Sequence, residues 1–536
     1  MNLEAKQPTN YGALGTLVMV FFFWGFIAAS NSIFIPFCRT HFELSQFESQ
    51  LIGSAFYGAY FIGSLVLYLV SSLLGYDILN KIGYKRGIIY GLFISVIGAL
   101  AIIPSANANS FPLILVSFFI VALGFSLQQT AAQPFAISLG DPSTGSHRLN
   151  LAGGVNSLGT TLGPIIVSFF LFGSVGAAQK EVTVTNINNL YLIVASVFAA
   201  VALFFAFSKL PSGKDDAKFE GSAKASFSLI TMTVVIGILI TVGQLTTIEK
   251  LPLLIIALVA VVFILFYSNN QAIKNNSGWG AMKYPQLIYG MLGIFVYVGV
   301  EVTIDNNFGA LLKTPGYITT AGLHDNEISH YVSLYWGSLM IGRWTGAVSV
   351  FNLSKTAKRI ATIVVPYVAF AVVLFVNYLY GNDIKNLLPY AGVIAVAIAA
   401  FFFGQEKPVK TLLTLALLAT FAMLFGVFTN GISSVYAFMA GGLCCSIMWP
   451  CIFSLAVAGL GKFTSQGSAF LIMMILGGAI IPPFQGALGD SPSIGMHNSY
   501  LVAAGCFAFL AFLALKLRSV LKAQGLDFDQ QIGGGH

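Results

Sequence analysis

Glu301 and Asp305 lie in a stretch, Tyr284 to Leu312, that is otherwise apolar apart from a few amides and hydroxyls and holds no basic residue to neutralise them. Gly293 and Gly299 are read as loosening its middle. A carboxylate in hydrocarbon costs at least about 2.5 to 3.5 kcal/mol even on the most lenient insertion scale, so a chain this sparing of charge has a use for two of them. The pair points to a solute or ion pathway. Glu301 could bind and release a proton across a pKa raised by burial, or with Asp305, Thr303 and unwound carbonyls could ligate sodium; the carboxylate is the expected coupling site for either ion.

Around them stand other polar side chains on apolar stretches: Asn31, Ser32, Gln128, Gln129, Gln133, Asn150, Asn156, Asn306 and Asn307. Amides both donate and accept, so a ring of them in a dry cavity suits a neutral polyhydroxylated ligand better than an anion. Sugars are the obvious class. Trp24, Tyr57, Phe125, Tyr297, Trp336 and Trp449 offer rigid aromatic faces against which a pyranose could pack. Against this stands the plainer reading that an amide on a span only bonds a neighbouring helix. Asn31 and Asn156 adjoin Gly-rich interruptions, which favours the binding role. His147 and Arg148 open a span from a polar loop and read as an anchor, while His330 and His497 fall near span ends, where solvation is expected.

These residues need a scaffold, and composition says which kind. The 536 residues are 57% hydrophobic and 8% charged, with 47 Phe and a mean hydropathy of +0.84, which excludes a soluble globular protein. The net charge of +7 sits in short connections between apolar runs, as the positive-inside rule requires, so nucleic acid is not an expected partner. Cys38, Cys444, Cys445, Cys451 and Cys506 fall in or beside apolar runs and read as small core residues. The first run, Leu14 to Ala29, follows only one Lys and continues to Phe37, so it is expected to be the first span rather than a cleaved signal. No Walker loop, metal cluster or haem motif is present, and no cofactor is expected.

Windows of about 20 apolar residues give about sixteen spans. A first six-helix half covers 1–208, and a polar linker with Lys209, Lys214, Lys218 and Lys224 plus two extra helices covers 209–285. A second half covers 286–520 with an inserted pair near 387–429, and 521–536 form a tail. Lys81, Lys85 and Arg86, Lys355, Lys358 and Arg359, and Lys407 and Lys410 fall on one side, together with both termini, which makes that side cytoplasmic. The expectation is a monomeric multi-pass protein of an inner or plasma membrane.

An internal repeat is visible. Leu123-Gly124-Phe125-Ser126 leads to Gln133-Pro134-Phe135 and Leu139-Gly140, followed by a Gly/Asn/Ser-rich span. Gly441-Gly442-Leu443 leads in the same way to Trp449-Pro450, Leu460-Gly461 and a Gly-rich span ending Gly477-Gly478 to Pro483. Gly25 with Asn31 and Ser32 matches Gly299 with Asp305 and Asn306. Parallel repeats with interrupted helix pairs are how one large group of secondary transporters is built, with the site between the halves.

Gly75-Tyr76-Asp77, Asn80-Lys81, Gly83 and Lys85-Arg86 resemble the loop between spans two and three of the major facilitator superfamily, where glycines and a basic turn let helices pack and gate the cytoplasmic face. Further blocks are Gly25-Phe26 through Asn31 to Pro36, Ser54-Ala55-Phe56-Tyr57 to Tyr60-Phe61, Thr130 to Phe135, Arg148 to Ala152 with Asn156-Ser157, Tyr297-Val298-Gly299, Gly342-Arg343, and Trp449-Pro450 with Ile452 to Leu455. With these the chain resembles the fucose permease and glucose/galactose transporter family of that superfamily. The resemblance implies an all-α polytopic membrane protein with the major facilitator fold: twelve core helices in two pseudo-symmetric halves, about four extra helices, alternating access, and sugar uptake driven by a proton or sodium ion. The substrate-binding candidates are Asn31, Gln129, Gln133, Asn156, Asn306, Trp336 and Trp449, and the gating or structural candidates Gly75, Lys81, Gly83, Lys85, Arg86 and Arg343. The fucose permease pattern, however, has an Asp and a Glu where this chain has Ser32 and Gln129, neither of which titrates, and an amide where it has Gly153. The charge has moved to Glu301, where that pattern has an amide. The expected activity is therefore an ion-coupled hexose or amino-sugar symporter. An uncoupled uniporter is the nearest rival. A polytopic enzyme would need a clustered acid or His site, for which Asp325, Glu327 and His330 are a thin basis.

Overall fold

Long apolar runs leave the backbone no water to bond, so the chain closes its hydrogen bonds within helices. The computed structural model describes residues 8–43, 46–172, 183–212, 220, 222–246, 248–323, 325–351, 353–404 and 407–526; Lys214 and Lys218 of the linker lie outside them. In order the helices are α1 (Tyr11–His41), α2 (Gln46–Leu74), α3 (Ile78–Ile82), α4 (Tyr84–Asn107), α5 (Phe111–Ser138), α6 (Gly145–Phe172), α7 (Val184–Phe207), α8 (Ala223–Leu245), α9 (Lys250–Lys274) and α10 (Pro285–Leu312). They continue with α11 (Asp325–Ala347), α12 (Lys355–Leu379), α13 (Tyr390–Gly404), α14 (Pro408–Phe428), α15 (Ile432–Cys445), α16 (Met448–Val457), α17 (Thr464–Met473), α18 (Gly477–Gly489), α19 (Gly495–Ser499) and α20 (Leu501–Ala523). Among the described residues, 13 segments are long and apolar enough to cross a membrane. The protein is a multi-pass membrane protein.

The helices form two compact units. In the first (Met1–Ser64, Leu79–Asp215 and Leu339–Ala391), α4 packs on α5 and α7, and α1 on α6. The α1–α6 crossing is close because each helix brings a glycine to it: a Cβ on Gly25 would strike the main chain of Asn156, and one on Gly159 the main chain of Phe22. In the second unit (Leu65–Ile78, Asp216–Ser338 and Gly392–His536), α14 packs on α15, α16 and α20, and α10 on α18. The packing repeats that of the first unit, with α14 in the place of α4. The inserted pair expected near 387–429 takes in α13 and α14; α14 packs on α15, α16 and α20, and α12 and α13 are more sparsely packed.

Arg148 is buried and donates from Nε to Ala136 O (2.9 Å), from Nη2 to Ile137 O (2.6 Å) and Asp141 O (2.8 Å), and from Nη1 to Thr144 Oγ1 (2.7 Å). A guanidinium fork thus satisfies the carbonyls left open where α5 ends, in keeping with the anchoring role read from the sequence. Arg148→Lys supplies one nitrogen for these acceptors. With buried acceptors costing about 1–3 kcal/mol each when unmet, the variant is expected to lose roughly 2–4 kcal/mol, measured as a lowered unfolding midpoint in detergent.

The helices α8 and α9 are largely exposed along rows of apolar side chains such as Ile238, Val259 and Phe263, as befits a lipid-facing addition. Their stem is polar. Glu220 bridges Lys283 (3.2 Å) and Lys462 (3.3 Å). Partial burial pushes its carboxyl up, but the two ammonium groups outweigh that and hold it below the usual range. Tyr68 donates to Ser222 Oγ (2.7 Å) and Gln466 Nε2 donates to the same hydroxyl (3.2 Å), so the start of α8 is tied to α2 and α17.

Candidate functional site

The carboxylates lie on α10, the most enclosed helix of the second unit together with α15–α16. It runs unbroken from Pro285 to Leu312, so no main-chain carbonyl is released to ligate an ion. Gly293 and Gly299 do not loosen it, contrary to the sequence reading. They are where α10 meets Ile452 of α16 and Ile481 of α18 without room for a Cβ.

On a helix, residues four apart lie above one another, which puts Tyr297, Glu301 and Asp305 on one stripe. Tyr297 donates its hydroxyl to Glu301 Oε1 (2.7 Å). Asp305 lies beside the Trp336 side chain, and its Oδ1 is shut off from solvent with no partner. Trp449 faces Tyr297 with centroids 6.0 Å apart and stacks on Phe453 at 6.1 Å. Two aromatic rings and two carboxylates named separately in the sequence are thus one cluster. Buried charge demands donors, and the Tyr297 phenol is one of them.

The other side of α10 is structural. Thr303 Oγ1 donates to Gln485 Oε1 (3.0 Å), Gln485 Nε2 to Ser499 Oγ (3.2 Å), and Asn307 Nδ2 to Thr303 O (3.0 Å). Thr303 therefore faces away from the carboxylates and does not complete a sodium site with them, as the sodium reading required. Among the described residues no group of three or more His, Cys, Asp or Glu is gathered as for a metal. Asn306 is exposed and is not brought to the stripe.

Sequence reasoning missed Tyr335 and Tyr500. Tyr335 donates to the main-chain oxygen of Glu301 (2.7 Å) and Tyr500 to that of Ile304 (3.0 Å), pinning α10 to α11 and α20. The repeat held a signal for the first: Tyr60-Phe61 two residues before Gly63 mirrors Tyr335-Trp336 two residues before Ser338. Near the end of the unit, His330 is buried against Tyr331 and His497 Nε2 donates to Gly426 O (2.9 Å), so neither is simply solvated as expected.

In the first unit, Gln129 Nε2 donates to Tyr60 OH (3.0 Å) and is half-buried. Its neighbour Gln128 is sealed between Trp24 Nε1 (2.6 Å) and Ser95 Oγ (3.1 Å), which removes both Gln128 and Trp24 from ligand binding. Gln133 is buried on α5 below them, and Asn156 Nδ2 donates to Phe21 O (2.9 Å), bridging α6 to α1. Asn31 lies on α1, but its side chain lies outside the described residues. Arg343 Nη1 donates to Ser157 Oγ (2.9 Å), and its stem fills the space left by Gly153. Gly75 and Gly83 have φ of 72° and 87°, the left-handed region that favours glycine. Lys85 Nζ caps α7 through Ala206 O (3.1 Å) and Ser208 O (2.8 Å), while Lys81 and Arg86 are exposed.

An all-α bundle with a repeated packing plan and intramembrane carboxylates among aromatic rings is the architecture of a secondary transporter. The model of the Major Facilitator Superfamily matches residues 14–405. The glucose/galactose transporter of Brucella abortus (strain 9-941) is 30% identical over 516 residues, 96% of either chain. The L-fucose-proton symporter of Escherichia coli K12 is 26% identical, over 96% of this chain and 95% of that one. A solved transporter of the superfamily, FucP in its outward conformation, superposes with a TM-score of 0.63 at 23% identity, over 94% of this chain and 98% of its own, which bears on the fold. The chain belongs to the major facilitator superfamily, in its fucose permease and glucose/galactose transporter family. It is a transporter and not an enzyme.

Proposed function

We propose that the protein takes up a neutral monosaccharide, a hexose or amino sugar, by alternating access, driven by protons bound at the α10 carboxylates. The observation that carries this is the Tyr297–Glu301–Asp305 stripe faced by Trp336 and Trp449. Rings of this kind stack on sugar faces, and carboxylates accept hydroxyl hydrogen bonds and exchange protons. The relatives' names, glucose/galactose transporter and L-fucose-proton symporter, favour the same substrate class and the proton. An unbroken α10 and a turned-away Thr303 favour the proton over sodium. In the first unit Gln129, Gln133, Asn156 and Asn31 would supply neutral sugar contacts.

In this reading Gly75, Lys81, Gly83, Lys85, Arg86 and Arg343 serve the cytoplasmic gate, both termini are cytoplasmic, and the protein works as a monomer in the inner or plasma membrane. The halves are 1–208 and 286–520, and the pair α12–α13, more sparsely packed than α14, is the insertion of the second half.

The test is uptake of radiolabelled glucose, galactose, fucose, mannose and N-acetylglucosamine into proteoliposomes under an imposed proton or sodium gradient. Accumulation of one sugar under a proton gradient supports the reading. A sodium-only response would replace the ion, equilibration under either gradient would make the protein a uniporter, and no uptake would remove the substrate class.

A further inference from the structure

The end of α2 belongs to the second compact unit, within Leu65–Ile78, although by sequence it falls in the first half, 1–208. Its tie is a single tyrosine. Tyr68 is buried, and its ring meets Phe470 of α17 edge-on at 4.7 Å. As donor its hydroxyl lies 2.9 Å from Ser222 O and 2.7 Å from Ser222 Oγ, and it accepts from Ser226 Oγ (3.0 Å). Ser222 caps α8 and Ser226 lies in its first turn, so both partners stand at the base of the α8–α9 hairpin, an addition to the core helices. At the same end Ser465 Oγ of α17 donates to Asp77 Oδ1, three residues past α2 (3.0 Å).

The hairpin itself is fixed to the second half. Helix α9 packs on α10 and α18. Gln466 of α17 donates to Ser222 Oγ (3.2 Å) while its own oxygen accepts from Ala281 N, just before α10. Gly280, at a φ of 54°, comes so close that a Cβ there would strike Ser222 and Gln466. Glu220 adds its bridges to Lys283 and Lys462.

We propose that Tyr68 is the positioning residue of a latch: the hairpin base holds the end of α2 against α17 in this conformation, and α2 leaves α17 only when the Tyr68 hydroxyl leaves Ser222 and Ser226. This rests on the alternating-access reading above. Each serine keeps a bond when the phenol goes, since Ser222 Oγ retains Gln466 and Ser226 Oγ retains Ser222 O (3.1 Å). The base therefore stays closed on the second half while α2 departs. The phenol exchanges neutral partners for water, a change small enough to set populations without locking one state.

The experiment measures the separation of α2 from the hairpin by electron-spin distance spectroscopy in lipid nanodiscs. Spin labels go on Leu73→Cys and Phe227→Cys, side chains 86% and 72% exposed, with Cys506, the native cysteine that is not buried, replaced by Ala. The labelled protein should show a short and a long separation. Tyr68→Phe keeps the ring on Phe470 and removes the hydroxyl. It should raise the ratio of long to short about five- to thirtyfold, with both distances unchanged. Ser226→Ala removes one bond and should raise it about two- to tenfold, and should add nothing in the Tyr68→Phe background. Glu220→Gln, whose partners all lie on the second half's side of the base, should leave the ratio within about twofold. A merely structural tyrosine would lower the unfolding midpoint and leave the ratio alone. Two separations in an unchanged ratio in both Tyr68→Phe and Ser226→Ala would overturn the proposal, as would a shift in Glu220→Gln as large as that in Tyr68→Phe. A single separation, unmoved by any sugar of the uptake panel and by either ion gradient in proteoliposomes, would instead overturn the alternating-access reading, and it shows before any latch variant is made.

Discussion

Glu301→Gln is expected to bring proton-driven sugar accumulation down to simple equilibration while counterflow continues within about tenfold of wild type. The amide fills the same space and its oxygen still accepts from Tyr297, now as a neutral bond weaker by about 1 kcal/mol. What disappears is the ionisable group. Tyr297 donates to the carboxylate, and an amide in its place can neither take up nor release a proton. Parallel traces of labelled sugar with and without an imposed proton gradient check the result, and accumulation equal to wild type would remove Glu301 from the coupling site.

The second large effect is structural. A Cβ on Gly477 would drive into the main chain of Phe295, at the 3-10 turn Met474–Leu476 that joins α17 to α18. Backbone cannot swing aside as a side chain can, so α18 must move off α10 about 9 Å along the helix from Glu301, six residues at 1.5 Å each. Overpacking of this kind costs about 1–3 kcal/mol for a methyl group and more for a branched side chain. Gly477→Ala should lower the unfolding midpoint in detergent and Gly477→Val should fail to give a monodisperse peak. Gly505→Ala on α20, where a new Cβ meets nothing within 4 Å, is the control and should be neutral or slightly stabilising.

The spans, the repeat and the two carboxylates were legible because each is a signal along the chain: hydropathy over some twenty residues, glycines and prolines at matched places, and charge where charge is costly. The partners of the carboxylates were not. Tyr335 and Trp336 are adjacent in sequence, yet one holds the main chain of Glu301 and the other lies beside the side chain of Asp305, a division set by the crossing of α10 and α11. Gln128 and Gln129 look alike on paper, but neighbours on a helix point about 100° apart, and only the second is half-open. Which helices pack closely was obscure for a similar reason. Hydropathy counts spans without saying which of them touch, and α14 is marked as a core helix only by its packing on α15, α16 and α20.

The chain has five tryptophans, and their surroundings sort them optically. Trp24 and Trp344 have their indole N–H fixed on Gln128 and on Gly154 O, and Trp279 is buried. Trp336 and Trp449 are half-open beside the carboxylates, while Trp344, also half-open, has its N–H held on Gly154 O. Under the proposed sugar reading, ligand should change the emission of Trp336 and Trp449 and leave that of Trp24 and Trp279 unchanged, so intrinsic fluorescence of the unlabelled protein can follow occupancy.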